Sequence, residues 1–334
     1  DLLGMTYASM QEYGKALETL SRALSVDTTS LRTHMVKAQV HEAQGAPEQA
    51  EEEYRAAMKI DPKSLAPHVA LMQSLLRRKQ WDRAIQAGQG ALAIEAKNAT
   101  IRTLMGAASL GKNDTAGAEA AFRKALEADP KYAPALLNLG SLSARQRKLG
   151  DAEQFFRAAV ESSPENLTAL FNLASVLVEE GRLPEAVTRL ETAAKQNPDL
   201  LVVQLSLGDL YQRVGRLDEA QATATRLLNT NPKLAPALLL QGTIAMRRAN
   251  LEEAEAAFRK AVDADPKSVQ ALYMLGRTQL FMNRQAEASA NLKKAQELDP
   301  NKSIGRMELA ALEAGQDPAK VNQALEKEVR AAMQ

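Results

Sequence analysis

The sequence predicts an all-α solenoid of stacked antiparallel helix pairs, and three observations predict it. Alanine recurs every 34 residues without a slip, at Ala16, Ala50, Ala84, Ala118, Ala152, Ala186, Ala220, Ala254 and Ala288. Proline recurs with the same period at Pro62, Pro130, Pro164, Pro198, Pro232, Pro266 and Pro300. The segments between them are alanine- and leucine-rich, with the apolar spacing of helices rather than of strands. A unit of this length forms one helix–turn–helix that cannot bury its own apolar face. It must stack on copies of itself.

The register divides the sequence into a partial first repeat, 1–30, full repeats at 31–64, 65–98, 99–132, 133–166, 167–200, 201–234, 235–268 and 269–302, and a terminal repeat with cap, 303–334. We read these as one continuous solenoid over 1–334. The first helix of each repeat carries a small residue eight positions in: Gly4, Ala38, Gly106, Gly140, Ala174, Gly208, Gly242, Gly276 and Ala310, with Met72 the exception. Small side chains there let two helices cross closely, and this slot is expected to face the alanine of the second helix. Four residues after that alanine stands a large side chain, as in Leu20, Tyr54, Phe122, Phe156, Leu190, Phe258 and Leu292. The i, i+4 spacing puts both on one face. Gly88 and Ala224 empty this slot, so their repeats are expected to be looser, and Ala224→Leu to be tolerated better than Ala152→Leu. A second small slot follows at Ala23, Ala57, Ala91, Ala125, Ala159, Ala193, Ala261 and Ala295, with Leu227 the exception.

Proline ends the second helix by its ring and its missing N–H. Thr28 and Ala96 replace it in two repeats, where other residues must make the turn. Gly45, Asn113, Gly181, Gly215 and Asn283 sit between the helices of a pair, where a left-handed residue ends the first helix. Pro47 and Pro184 begin second helices, a position that tolerates proline. At the far end, Val321, Leu325, Val329 and Met333 form an apolar stripe with Lys320, Glu326, Lys327 and Arg330 on other faces. A capping helix is expected there, starting near Asp317-Pro318. Asp1 falls inside the first helix of a repeat, so further residues are expected upstream.

Leu207-Gly208, Tyr211, Ala220 and Pro232 form one set of marker residues, and Leu139-Gly140, Ala152, Phe156 and Pro164 another. The pattern resembles that of tetratricopeptide repeats, over essentially the whole chain. The aromatic residue that often opens the motif is absent. Its slot holds His34, His68, Arg102, Leu136, Leu170, Gln204, Leu238 and Leu272. The resemblance implies a right-handed superhelix that binds protein segments on its concave side.

Composition excludes several classes. There is no cysteine, hence no thiol catalysis, disulfide or thiolate metal site. Lys and Arg total 42 against 41 acids, a net charge of +1, which argues against non-specific binding to nucleic acid or membrane surfaces. No apolar stretch is long enough for a membrane span. Gly111-Lys112 lacks the spacing and preceding strand of a phosphate loop. No serine or histidine arrangement supplies a nucleophile and its base, so the protein reads as non-enzymatic and without a cofactor.

The three histidines, His34, His41 and His68, occupy one helical face or equivalent slots, without a carboxylate at ligand spacing. They read as packing residues, and zinc or a chelator is expected to leave melting unchanged. Arg77, Arg78, Lys79, Arg145, Arg147, Lys148, Arg213, Arg216, Arg247 and Arg248 gather at first-helix ends. There they complement the helix dipole, with acids opening the next helix. Trp81 is expected to fill a gap near Gly88.

Asn138 and Asn172 share one first-helix slot, with Ser206 in the next repeat. By the resemblance, this slot lines the concave surface, where an amide can hold a peptide backbone. Ser141, Ser175, Arg145, Asp209, Gln212, Arg213, Tyr273 and Arg277 are the neighbouring candidates. The mixture favours a polar, peptide-like ligand centred on 133–200. The expected partner is therefore a protein or peptide. Alternatives are a bacterial cell-envelope assembly factor, suggested by the alanine-rich, cysteine-free repeats, and a regulatory arm of an enzyme.

Overall fold

The computed structural model of the protein describes residues 2–300 and 306–313. Among these residues there are nineteen α-helices and no strand. They gather into two compact units, Asp1–Val176 and Leu177–Gln334. The expected capping stripe from Val321 to Met333 lies outside the described residues.

In the first unit the helices pair as α1 (Leu2–Ser9) with α2 (Tyr13–Val26), α3 (Leu31–Ala43) with α4 (Pro47–Ile60), and α5 (Ala66–Arg77) with α6 (Trp81–Ile94). Then come α7 (Ala99–Gly111) with α8 (Thr115–Ala128), and α9 (Ala133–Arg145) with α10 (Leu149–Ser162). The boundary falls within α11 (Leu167–Glu179). The second unit holds α12 (Leu183–Gln196), the pairs α13 (Leu201–Arg213) with α14 (Leu217–Thr230), α15 (Ala235–Arg247) with α16 (Leu251–Ala264), and α17 (Val269–Phe281) with α18 (Gln285–Leu298), and α19 (Arg306–Glu313). Every expected repeat window from 31–64 to 269–302 therefore contains two helices.

The periodic alanines are buried within the stack. All nine, from Ala16 to Ala288, have no accessible surface. The atoms nearest the small slot of the first helix belong, in most repeats with glycine there, to the large side chain of the second. A Cβ built on Gly106, Gly140 or Gly242 would lie under 3.0 Å from the ring of Phe122, Phe156 or Phe258 respectively. At Gly276 the alanine backbone also comes close, with the Ala288 carbonyl 3.2 Å from such an atom. The absence of a Cβ at the glycine leaves room for the ring against the backbone.

The emptied large slots are refilled, which corrects the expectation of a loose core there. A Cβ on Gly88 would meet Met105 Cγ at 2.6 Å and Met72 Cε at 2.8 Å. Met72, the one large residue in the small slot, thus complements the missing side chain at Gly88. In the other repeat, a Cβ on Gly208 would meet Leu240 Cδ2 at 2.5 Å. Leu240 comes from the next first helix and takes the place the ring occupies elsewhere. Ala224 is itself fully buried, so its slot is not vacant.

Helix ends follow from local chemistry. Ser30, Asn98, Asp114, Asn250 and Ser268 cap helix N-termini with their side chains. In the Asp-Pro-Lys turns, Asp61, Asp129 and Asp265 each accept the N–H two residues on. Where proline is replaced, Asp27 accepts from the Thr29 N–H, and Asn98 donates to Glu95. Between paired helices the backbone is left-handed not only at Gly45, Asn113, Gly181, Gly215 and Asn283 but also at Gln11, Lys79, Arg147 and Ala249. The geometry belongs to the repeat, and these four side chains tolerate it at a cost.

Charge ties neighbouring repeats together. Arg78 reaches Glu48 at 2.5 Å, Lys112 reaches Asp82 at 2.5 Å, and Arg248 reaches Asp218 at 2.6 Å. Each pair is 30 residues apart. A base ending one first helix therefore meets the acid that opens the second helix of the preceding repeat, not of its own. Two acids are drawn further in. Glu51 accepts from Arg55, Arg78 and Arg83, and Glu255 from Arg259, Gln279 and Arg284. Burial raises the pKa of each carboxyl, but these donors outweigh it and hold both below the ordinary value.

Candidate functional site

Within the units, first helices of neighbouring repeats pack together, α5 with α7, α7 with α9 and α13 with α15, and their slots return every 34 residues. Asn138 and Asn172 lie half-buried on α9 and α11 of the first unit. Asn138 Nδ2 donates 2.7 Å to the Pro134 carbonyl one turn back, so part of its amide is spent on its own helix. Ser206 is half-buried on α13. The same slot holds Val36 and Leu240, both buried. It lies at the seam between helices and is less open than the resemblance implied.

The neighbouring slots are more accessible. Ser175, Arg145, Asp209 and Arg213 are exposed, and Ser141 and Gln212 half-buried. Gln212 Nε2 donates to Asp209 Oδ1 at 2.9 Å. Tyr273 and Arg277 prove to be tied into the structure. The Tyr273 hydroxyl donates to buried Glu308 of α19 at 2.9 Å. Its pKa is pushed up to about 12, chiefly by burial, with Arg277 opposing and Glu308 assisting. Arg277 lies over the Phe281 ring at 5.8 Å.

The structure brings Asp209 and Gln212 together with residues that the sequence alone did not single out. They line a hollow of about 170 Å³ on α13, α15 and α17, floored by Leu205, Leu239 and Leu240 and edged by Pro236, Thr243 and Gln270. Thr243 Oγ1 donates back to the Leu239 and Leu240 carbonyls. Val202, 53% exposed, stands one turn before Leu205 on α13. The lining is apolar at Leu205, Leu239 and Leu240 and polar at Asp209, Gln212, Thr243 and Gln270. The signal was in the sequence: Leu205, Leu239 and Tyr273 are in phase, as are Asp209, Thr243 and Arg277.

Other candidates find structural uses. His34 Nδ1 lies 2.6 Å from Glu53 Oε2, and Lys37 bonds the same carboxylate at 2.8 Å. His34 is a polar partner rather than a simple packing group. Trp81 does not fill the space at Gly88. It covers Gly111 at the end of α7, where a Cβ would lie 2.6 Å from the indole. That cover accounts for the glycine beside Lys112. Among the described residues, no helix is long and apolar enough to cross a membrane.

Stacked helix pairs of fixed length, closed by proline and opened by an accessible first-helix face, define a helical-repeat protein of the interaction class. Tetratricopeptide-repeat profiles match residues 2–64, 104–167 and 205–269, residues 41–108 and 143–200, and residues 269–302. The chain belongs to the tetratricopeptide repeat family. No curated protein matches it. Among solved structures, it is similar to the C-terminal part of a TPR repeat-containing protein from Cytophaga hutchinsonii, at 16% identity and TM-score 0.57, over 70% of this chain and 96% of that one. PilW, a type IV pilus biogenesis factor, shares 20% identity at TM-score 0.52, over 63% and 98%. The APC/C hetero-tetramer Cut9–Hcn1 shares 13% at TM-score 0.52, over 92% and 74%. At these identities the likeness is one of fold.

Proposed function

We propose that this protein is a non-catalytic interaction scaffold that holds an extended peptide or protein segment against its first helices. The observation that carries this reading is the hollow on α13, α15 and α17. An apolar side chain fits its Leu205, Leu239 and Leu240 floor. The Asp209 carboxylate and Gln212 amide at its rim suit a backbone N–H or a basic side chain. In the first unit, Asn138 and Asn172 offer amides one repeat apart, near the usual helix spacing of about 10 Å. An extended peptide rises roughly 3.3 Å per residue, so the two would meet groups about three residues apart.

A displayed library of extended peptides tests the proposal. Selected peptides are expected to carry an apolar residue near a basic one. Leu239→Glu should weaken them about ten-fold or more by placing a charge in the apolar floor. Asn138→Ala with Asn172→Ala should weaken peptides bound in the first unit by a similar factor. Selected peptides that bind all three proteins equally, by calorimetry, would remove the first-helix face as the site.

A further inference from the structure

A different set of slots carries a feature that the first-helix candidates do not explain. In two repeats the fourth residue packs towards the twenty-third. His34 meets Glu53 through a 2.6 Å contact. Leu136 and Phe155 join one apolar cluster. In repeat 65–98 the same two slots hold His68 and Ala87. A hollow of about 270 Å³ opens there between α4, α5 and α6.

Its chemistry is one-sided. Leu71 and Leu75, both buried, form the floor. Arg55, Arg83 and His68 stand in the wall, with no acid among the lining residues. Glu51 lies behind the two arginines and fixes them. It accepts from Arg55 Nε at 3.1 Å and Nη2 at 2.8 Å, and from Arg83 Nη2. Arg83 Nη1 donates 2.6 Å to Gln80. Arg55 Nη1 and Arg83 Nε make no hydrogen bond with the described residues, so each held guanidinium keeps donors to offer. Three guanidiniums, with that of Arg78, meet Glu51, and of these Arg78 alone has a second carboxylate among the described residues, Glu48. His68 has no hydrogen-bond partner among the described residues, and only burial acts on its pKa, lowering it.

A second hollow, in the equivalent slots of repeat 201–234, is an internal control. There Gln204 and Thr223 leave a space of about 380 Å³. Its wall contains an acid, Glu191, and its polar groups satisfy one another. Glu191 accepts from the Tyr211 hydroxyl at 3.0 Å and from Arg216 Nη1 at 2.9 Å, while Gln204 donates to the Pro198 carbonyl at 2.9 Å and accepts from Arg226.

We propose that the hollow between α4, α5 and α6 binds a carboxylate joined to an apolar group, with Arg55 and Arg83 holding the carboxylate and Leu71 and Leu75 taking the apolar part. Two fixed guanidiniums with spare donors suit a carboxylate. An apolar floor a few ångströms away selects anions that carry a hydrophobic group over simple ones. The shared chemistry fits both a polypeptide C-terminus ending in leucine and a free aryl or alkyl acid.

Nuclear magnetic resonance of the full-length protein tests this, because only three histidines give imidazole signals. His68→Gln assigns the His68 signal. The probes are N-acetyl-Ala-Ala-Leu with a free C-terminus, the same peptide as its C-terminal amide, and 4-phenylbutyrate. A bound carboxylate is expected to move the His68 signal and raise its titration midpoint, leaving His34 and His41 in place. The amide should do neither. Binding of the free-acid peptide alone identifies a polypeptide terminus as the ligand, and binding of phenylbutyrate alone a small organic acid. Arg55→Gln should weaken binding about ten-fold, as the loss of a charged hydrogen bond does. Ala87→Phe, copying Phe155, should fill the hollow and abolish binding, while Arg226→Gln in the control hollow should change nothing. Circular dichroism checks that each variant is folded, and Arg55→Gln decides the matter if Ala87→Phe is not. Absence of any His68 response to both acids, an equal response to the amide, or full binding by a folded Ala87→Phe or Arg55→Gln protein would overturn the proposal.

Discussion

At the scale of single residues, the repeat rests on a knob of side chain against bare backbone. Phe122, Phe156 and Phe258 lie on Gly106, Gly140 and Gly242 because a Cβ there would sit inside the ring's van der Waals radius. Ala152 is fully buried at the same crossing, so Ala152→Leu should cost roughly 1–3 kcal/mol by overpacking. Ala224→Leu should now cost a similar amount, because Leu240 already occupies the space the sequence leaves open. Restoring room with Leu240→Ala should recover much of the loss, as coupled neighbours do. Urea midpoints of the two single variants and the double variant check this, and additive losses would place Leu240 elsewhere. His41 makes a different test. Its Nδ1 is buried without a partner. Burial holds its pKa below the ordinary value, with Lys37 acting the same way and Glu53 and Glu52 opposing. Its stabilising share is therefore complete above about pH 6.5 and lost as the pH falls through the lowered folded value. His41→Gln should lose less stability than the parent between pH 7.5 and 5.5, measured in urea.

At the scale of elements, the turn inside each pair imposes its conformation whatever residue stands there. Ala249 has φ 58° where Gly215 has φ 82°. A left-handed alanine costs about 1–2 kcal/mol, of which part is offset by the stiffer unfolded chain. Ala249→Gly should stabilise by roughly 0.5–1 kcal/mol, and Gly215→Ala should destabilise by a similar amount. Thermal melts of both variants moving in the same direction would show that the turn relaxes instead. Between elements, the ion pairs 48–78, 82–112 and 218–248 recur at one register. They are exposed enough to contribute little stability each. They mark which helix end meets which helix start.

At the scale of the whole molecule, stability in a repeat stack is a sum of local terms, since each repeat touches only its neighbours. Phe258 is fully buried in the cluster with Ala245, Ala254 and Leu275. Phe258→Ala should cost roughly 3–5 kcal/mol there. Amide hydrogen exchange should then accelerate in α15 to α18 and stay nearly unchanged in α3 to α8 of the other unit. An equal rise in both places would mean that the protein opens as one cooperative body.

The repeat length, the helix boundaries and the buried alanines were legible in the sequence. They depend on short-range chemistry that returns every 34 residues: a proline that stops a helix, a left-handed turn, a small residue at a crossing. Sequence could not show what fills an exception. Gly88 and Ala224 read as gaps, yet Met72, Met105 and Leu240 reach into them from other helices, because a core closes on whichever side chain lies nearest in space. The candidate site divided in the same way. Asp209 and Gln212 stood out as polar residues on first helices. Their joining with Leu205, Leu239 and Thr243 into one hollow depends on the lateral packing of α13 on α15. The open space beside His68 likewise depends on three helices, since a hollow is the volume that several side chains jointly fail to fill, and no one of their positions along the sequence records it.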